Sequence, residues 1–295
     1  MRVAIVGLGL IGGSAGIAWR LAGHSVIGYA RRPETRRLAR ELGAADETPE
    51  DLAGAAEAEV VVLAPPVLAV RDLLAQLAPH LTPGTVVTDV ASTKRCVEAW
   101  AARFLPLGVA YIGGHPMAGK EQAGIEHADG RLFQGRTWCI VPPQGADAGA
   151  EEVVRRLAED AGSRTVRLGA LEHDRAVAAT SHLPFVASAL LAQSVVARPE
   201  FPHLAPVAGS GLRDTTRLAS GDPLMHRDIC LTNRDFLVRE LERYAAHLAA
   251  ATDLLRRLPD PDDLPAAPAE GSGPVAELGR TFAGLKEARD AWLDG

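Results

Sequence analysis

The chain has 295 residues, 47% of them hydrophobic and 23% charged, a globular balance with apolar material for about two domains. Acidic residues outnumber basic ones, 37 to 31, so no overall basic field exists to hold a nucleic-acid backbone. Three cysteines, Cys96, Cys139 and Cys230, are odd in number and far apart, which argues against a disulfide framework or metal-ligand pair and predicts a reducing, cytoplasmic setting.

In chain order, residues 2–6 form an apolar run ended by Gly7, the pattern of a buried parallel strand. The run breaks into glycines too early for a signal peptide, and no apolar stretch approaches the ~18 residues of a membrane span. Residues 10–22 suit a helix, Ser25–Ala30 a second strand, and Pro33–Leu42 a helix stopped by Gly43. Glu59–Ala64 reads as a third strand, with a helix following to about Ala78. Thr85–Asp89, Val109–Gly113 and Trp138–Pro142 read as further strands. The alternation predicts an α/β domain over residues 1–170, a parallel sheet of Rossmann type covered on both faces. From Leu171 the pattern changes. Residues 171–258 carry no convincing strand, and Ile229–Leu258 places Phe236, Leu237, Leu241, Tyr244, Leu248 and Leu255 at helical spacing. An all-helical second domain follows, its apolar content suited to a second subunit or to an internal core. Residues 259–274 read as a Pro/acid/Gly linker and 275–293 as a last amphipathic helix, together a 259–295 tail.

Gly7-Leu8-Gly9-Leu10-Ile11-Gly12 follows a strand and opens a helix. Glycines in that setting permit a tight turn and close backbone approach to a pyrophosphate, and the helix N-terminus offers free N–H groups to it. Ala64 and Pro65, ending the third strand, are placed with this turn as cofactor-binding residues. A site for NAD usually has an acid at the second strand's tip. Here Arg31-Arg32 stand there instead, guanidiniums suited to a 2′-phosphate, so NADP is favoured with NAD possible. The plain alternative is two solvated arginines in an arginine-rich chain.

Polar clusters sit at later strand ends: Val90-Ala91-Ser92-Thr93-Lys94 and Gly113-Gly114-His115-Pro116-Met117-Ala118-Gly119, where open α/β sheets bind ligands. Ser181-His182-Leu183-Pro184 and Ser210-Gly211-Leu212-Arg213-Asp214-Thr215-Thr216 lie in the helical part. The set GLGLIGGS, DVASTK, GGHPMAG, SHLP and SGLRDTTR, in that order over residues 1 to about 258, resembles the prephenate/arogenate dehydrogenase family of tyrosine biosynthesis. The resemblance implies an oxidative decarboxylation. NAD(P)+ takes hydride from C4 of a cyclohexadienol ring, whose carboxylate leaves as CO2; prephenate gives 4-hydroxyphenylpyruvate and arogenate gives tyrosine. It also implies a homodimer.

By the same resemblance His115 is the catalytic histidine, a type suited to accept the 4-hydroxyl proton near neutral pH. Ser92 matches a serine that bonds the substrate hydroxyl and orients the histidine, with a helix N-cap as its rival role. Lys94 matches a lysine near the nicotinamide end, against a solvated surface charge. Arg213 matches the arginine that clamps a substrate carboxylate, against an ion pair with Asp214. Ser181 is placed at the substrate, and His182 is more structural than catalytic. His24, His127, His173, His203, His226 and His247 are assigned no chemistry, and the Phe236–Leu248 stripe is core or interface. Many prephenate-using members have a histidine directly after SHLP, where this chain has Phe185, while arogenate-using relatives often carry an apolar residue there. With Arg31-Arg32 this leans toward arogenate and NADP. The competing functions are another NADP-linked dehydrogenase of the β-hydroxyacid type, and a non-catalytic NADP-binding sensor.

Overall fold

The computed structural model describes residues 1–120, 122–263 and 273–294. Seven strands form one sheet: β1 (Arg2–Val6), β2 (Ser25–Tyr29), β3 (Val60–Leu63), β4 (Val86–Asp89), β5 (Ala110–Pro116), β6 (Thr137–Val141) and β7 (Arg164–Arg167), in spatial order β2-β1-β3-β4-β5-β6-β7. Helices α1 (Leu10–Leu21), α2 (Pro33–Glu41), α3 (Val67–Leu77), α4 (Arg95–Phe104) and α5 (Ala148–Asp160) link them. Alternate strand residues enter different apolar clusters. Val3, Ile5, Val60 and Val62 pack with Trp19, Trp138 and Leu157, while Ala4, Val6, Val61 and Leu63 pack with Val70, Leu74 and Leu77. That period of two buries both faces of the sheet.

The all-parallel expectation is corrected at β6, which runs antiparallel to β5. A parallel return needs a crossover of a dozen or more residues, usually helical. Between Pro116 and Thr137 the described chain makes only the short turn Ile125–His127, so it comes back beside the strand it left. β7, which pairs parallel with β6, was not among the expected strands. Its residues, Arg-Thr-Val-Arg, are mostly exposed, and a charged edge strand lacks the apolar run that marks an inner one.

Beyond the sheet come α6 (Ala170–Val177), a π-helical turn (Ala178–His182), α7 (Leu183–Val195), α8 (Phe201–Leu204), α9 (Ser210–Thr216), α10 (Pro223–Thr232), α11 (Arg234–Arg256) and α12 (Pro274–Asp294). The single helix expected over Ile229–Leu258 is two, parted at Asn233, where φ is −126° and ψ 27°. The Asn233 side chain is spent on other contacts, given below. The helical run Ala170–Val195 is long and apolar enough to cross a membrane by length and composition. Unbroken apolar runs missed it because Ser181 and His182 interrupt the pattern. The linker expected over 259–274 lies largely outside the described residues. By contacts the chain parts into units Met1–Leu237 and Val238–Gly295. In the second, Arg257 pairs with Glu277 at 3.1 Å.

Candidate active site

Strand register brings Val6, Leu63 and Asp89 level, so the C-terminal ends of β1, β3 and β4 share one edge. β5 runs on past that edge and pairs Gly113–Pro116 with β6. His115 therefore stands where open α/β sheets hold their ligands.

At β1 the chain turns through Gly7, whose φ is +111°. A Cβ there would stand 2.7 Å from the Ala64 carbonyl carbon and 2.8 Å from Pro65 N, so Ala64-Pro65 form the backbone wall of the turn. Gly9 differs, because a Cβ there would meet nothing within 4 Å. It precedes α1, which has no side-chain cap and no acid in its first turn. Open space in front of uncapped N–H groups fits a diphosphate. Arg31 and Arg32 follow β2 as exposed side chains with no side-chain partner among the described residues, and Arg36 Nη1 donates to Ala30 O at 2.8 Å beneath them.

The chemistry gathers at β5. His115 Nδ1 lies 2.8 Å from His173 Nε2, and His173 Nδ1 lies 2.9 Å from Asp174 Oδ1. An ionised carboxylate only accepts, so His173 carries its proton on Nδ1 and accepts at Nε2. His115 then donates from Nδ1, leaving the Nε2 lone pair without a protein partner among the described residues. Burial first, then the neighbouring His173, Lys94 and His182, hold the His115 pKa well below its ordinary value. The ring is a neutral base at pH 7.

Asp174 is fully buried and also accepts from Lys94 N (2.7 Å), Arg95 N (3.1 Å) and Arg95 Nε (3.1 Å). It thus caps the start of α4 from another helix, favourable for an anion at a helix N-terminus. Arg95 continues to Asp235 (Nη1 to Oδ2, 2.9 Å) and lies over the Phe236 ring at 4.5 Å. Asn233 Nδ2 donates to Asp174 O (2.7 Å) and to His182 Nδ1 (3.2 Å). His182, lowered to about 4 chiefly by burial, carries its proton on Nε2, buried without a partner among the described residues.

Among the described residues Ser92 makes no hydrogen bond to His115 and does not cap α4, and the ring is held by His173. Lys94 is no solvated charge. It is 1% exposed, ion-paired with Asp89, and donates to Gly114 O at 2.6 Å. Arg213, on α9, is exposed and unpaired with Asp214 among the described residues. Ser181 is exposed in the π-helical turn. Phe185 is stacked by His226 at 3.3 Å between ring centroids and 9°, so an imidazole stands against the position that lacks one in sequence. His173, Asp174, Arg95 and Asn233 were missed. Their only signal was the His-Asp pair opening α6, and nothing in sequence ties it to a histidine 58 positions earlier.

A sheet edge that offers a diphosphate cradle and a neutral, oriented imidazole is what a nicotinamide-dependent dehydrogenase requires, and fold and site point to that class of oxidoreductase. Residues 15–167 match the prephenate dehydrogenase nucleotide-binding domain and residues 170–266 its dimerization domain. Prephenate dehydrogenase of Bacillus subtilis (strain 168) is 33% identical over 82% of this chain and 67% of its own. Cyclohexadienyl dehydrogenase of Zymomonas mobilis is 32% identical, over 84% and 86%. Among solved structures, Synechocystis arogenate dehydrogenase matches with TM-score 0.80 and 31% identity over 99% of this chain and 100% of that one. Prephenate dehydrogenase from A. aeolicus, in complex with hydroxyphenyl propionate and NAD+, matches with TM-score 0.86 and 28% identity over 99% and 98%. A 3-hydroxyisobutyrate dehydrogenase from Mycobacterium tuberculosis, at 16% identity and TM-score 0.51, shares the fold alone. The chain belongs to the prephenate dehydrogenase family. The apolarity of Ala170–Val195 falls in its dimerization domain.

Proposed function

We propose that this enzyme oxidatively decarboxylates a cyclohexadienol acid, arogenate or prephenate, with NADP favoured over NAD, and that it works as a homodimer. The observation that carries the reading is the tautomer forced on His115 by His173 and Asp174, which leaves Nε2 ready to take a proton. The bound dinucleotide supplies the hydride acceptor.

His115 Nε2 accepts the proton of the substrate 4-hydroxyl as the carbinol C–H bond breaks. His173 accepts the Nδ1–H bond and, with Asp174 behind it, steadies the imidazolium that forms, as a carboxylate steadies a histidine base elsewhere. Loss of the ring carboxylate as CO2 then leaves an aromatic ring. Gly9 and the start of α1 receive the diphosphate, and Arg31 and Arg32 receive a 2′-phosphate. Arg213 and Ser181 are assigned to the substrate by their motifs, and both are exposed and, among the described residues, without a side-chain partner. The relatives support the reaction class, since their names include prephenate, cyclohexadienyl and arogenate dehydrogenases. Arogenate is favoured on Phe185.

The test crosses prephenate and arogenate with NAD+ and NADP+, following reduced nicotinamide at 340 nm. The highest kcat/KM is expected with arogenate and NADP+, and the double variant R31A/R32A is expected to lose the NADP preference while NAD turnover persists. H115N is expected to lose a factor of about 10³ or more in kcat while still binding dinucleotide by calorimetry. A normal rate in H115N would sink the base assignment and favour a binding-only role.

A further inference from the structure

Lys94 touches both ends of the relay. Its backbone N–H donates to Asp174 Oδ1 at 2.7 Å, and its ammonium donates to Gly114 O at 2.6 Å, the carbonyl just before His115. The contacts close a ring that runs from His115 to His173, on to Asp174, to Lys94, and back to the strand end that carries His115. The ammonium is also ion-paired with the fully buried Asp89, which accepts from Tyr111 OH (2.7 Å) and Ala91 N (2.8 Å). Of its three donors, Lys94 has two committed inside the protein.

The glycine pair before His115 makes room for this device. A Cβ on Gly113 would stand 3.2 Å from Lys94 Cδ and 3.0 Å from Val141 O, and one on Gly114 would stand 2.6 Å from Asp89 O. The DVASTK and GGHP segments are two halves of one clamp, closed by a buried charge whose partners leave it little freedom.

We propose that Lys94 is a positioning residue that fixes the strand end bearing His115 against Asp174, and that it does not itself hold substrate or dinucleotide. The proposal rests on the reading that His115 is the base. The titratable and charged groups around His115 are His173 and Asp174 from α6, His182 from the π-helical turn, Lys94 from the segment before α4, Asp89 at the end of β4, and Cys139 opposite it on β6. After burial and His173, the Lys94 ammonium is among the neighbours that lower the proton affinity of His115.

The experiment compares the full chain with K94Q, K94R and G113A by steady-state kinetics across pH and by ¹⁵N NMR titration of the His115 imidazole. K94Q is expected to lower kcat on the order of a hundredfold, leave both KM values within about threefold, and move the acid limb and the His115 titration to higher pH. K94R is expected to recover part of kcat. G113A keeps every charge but crowds the Lys94 stem, and is expected to lower kcat without moving either KM. It carries the test if K94Q melts before assay temperature. A rise of about tenfold or more in either KM, with kcat and acid limb unmoved, would overturn the proposal in favour of ligand binding by Lys94. If the wild-type enzyme turns over neither substrate, the reaction reading fails, and the ¹⁵N spectrum of G113A, which keeps every charge, still decides: loss of the single Nδ1–H tautomer of His115 supports positioning, and an unchanged tautomer overturns it.

Discussion

At Asp174, burial by itself would raise the carboxyl pKa, but hydrogen bonds from His173, Lys94 N and Arg95 N carry it below the usual carboxylate range. An amide there would keep the shape, but an Nδ2 in the Oδ1 position would lose the bond from Lys94 N and donate to His173 Nδ1, reversing its tautomer and turning Nε2 toward His115 as a donor. D174N is accordingly expected to fold, to keep dinucleotide affinity, and to lose about a hundredfold or more in kcat, measured by single-turnover kinetics. At this scale the sequence shows which residue types occur and little about whom they meet. His115 was picked out by the resemblance carried by GGHPMAG, at a strand end where two glycines precede it. His173 was not, because its identity as a partner exists only once α6 is laid beside β5.

Among elements, the strand–turn–helix at residues 2–21 was readable almost to the residue, because buried parallel strands and glycine turns each have a local pattern. Its glycines nonetheless do different work. Gly7→Ala would force a Cβ against the Ala64–Pro65 backbone at positive φ, so a fall in melting temperature equivalent to about 1–3 kcal/mol is expected. Gly9→Ala meets open space and is expected to melt normally while weakening dinucleotide binding by about tenfold, read by calorimetry. Equal melting losses in the two variants would contradict this division. The direction of β6 was not readable, since antiparallel pairing was decided by a connection without a crossover helix rather than by any residue of β6 itself.

Across the molecule, three buried histidines, His115, His173 and His182, have lowered pKa values, in each case with burial as the largest cause. In the unfolded chain each takes a proton near pH 6.5, so the unfolded state binds more protons as pH falls below that value. Stability is therefore expected to be full above pH 7 and to fall from about pH 6.5 toward pH 4, His182 alone costing about 3 kcal/mol at the low end. Asp174 acts lower still, its stabilisation lost only as pH falls through its depressed folded value. Urea midpoints at pH 7.5, 5.5 and 4.5 check this, and a flat series would show that the imidazoles are solvated.

Composition, hydrophobic period and glycine spacing by themselves determined a dinucleotide-binding sheet and a helical remainder, because each of these is written in neighbouring residues, and the motif resemblance supplied the candidate base. Tertiary structure alone decided what suits His115 to the proposed role of base. Its tautomer depends on a histidine and an aspartate from a helix far along the chain, its proton affinity on burial, and its place on a lysine hidden beneath the strand. Burial, charge and hydrogen-bond direction at that point are sums over segments that meet only in the folded chain.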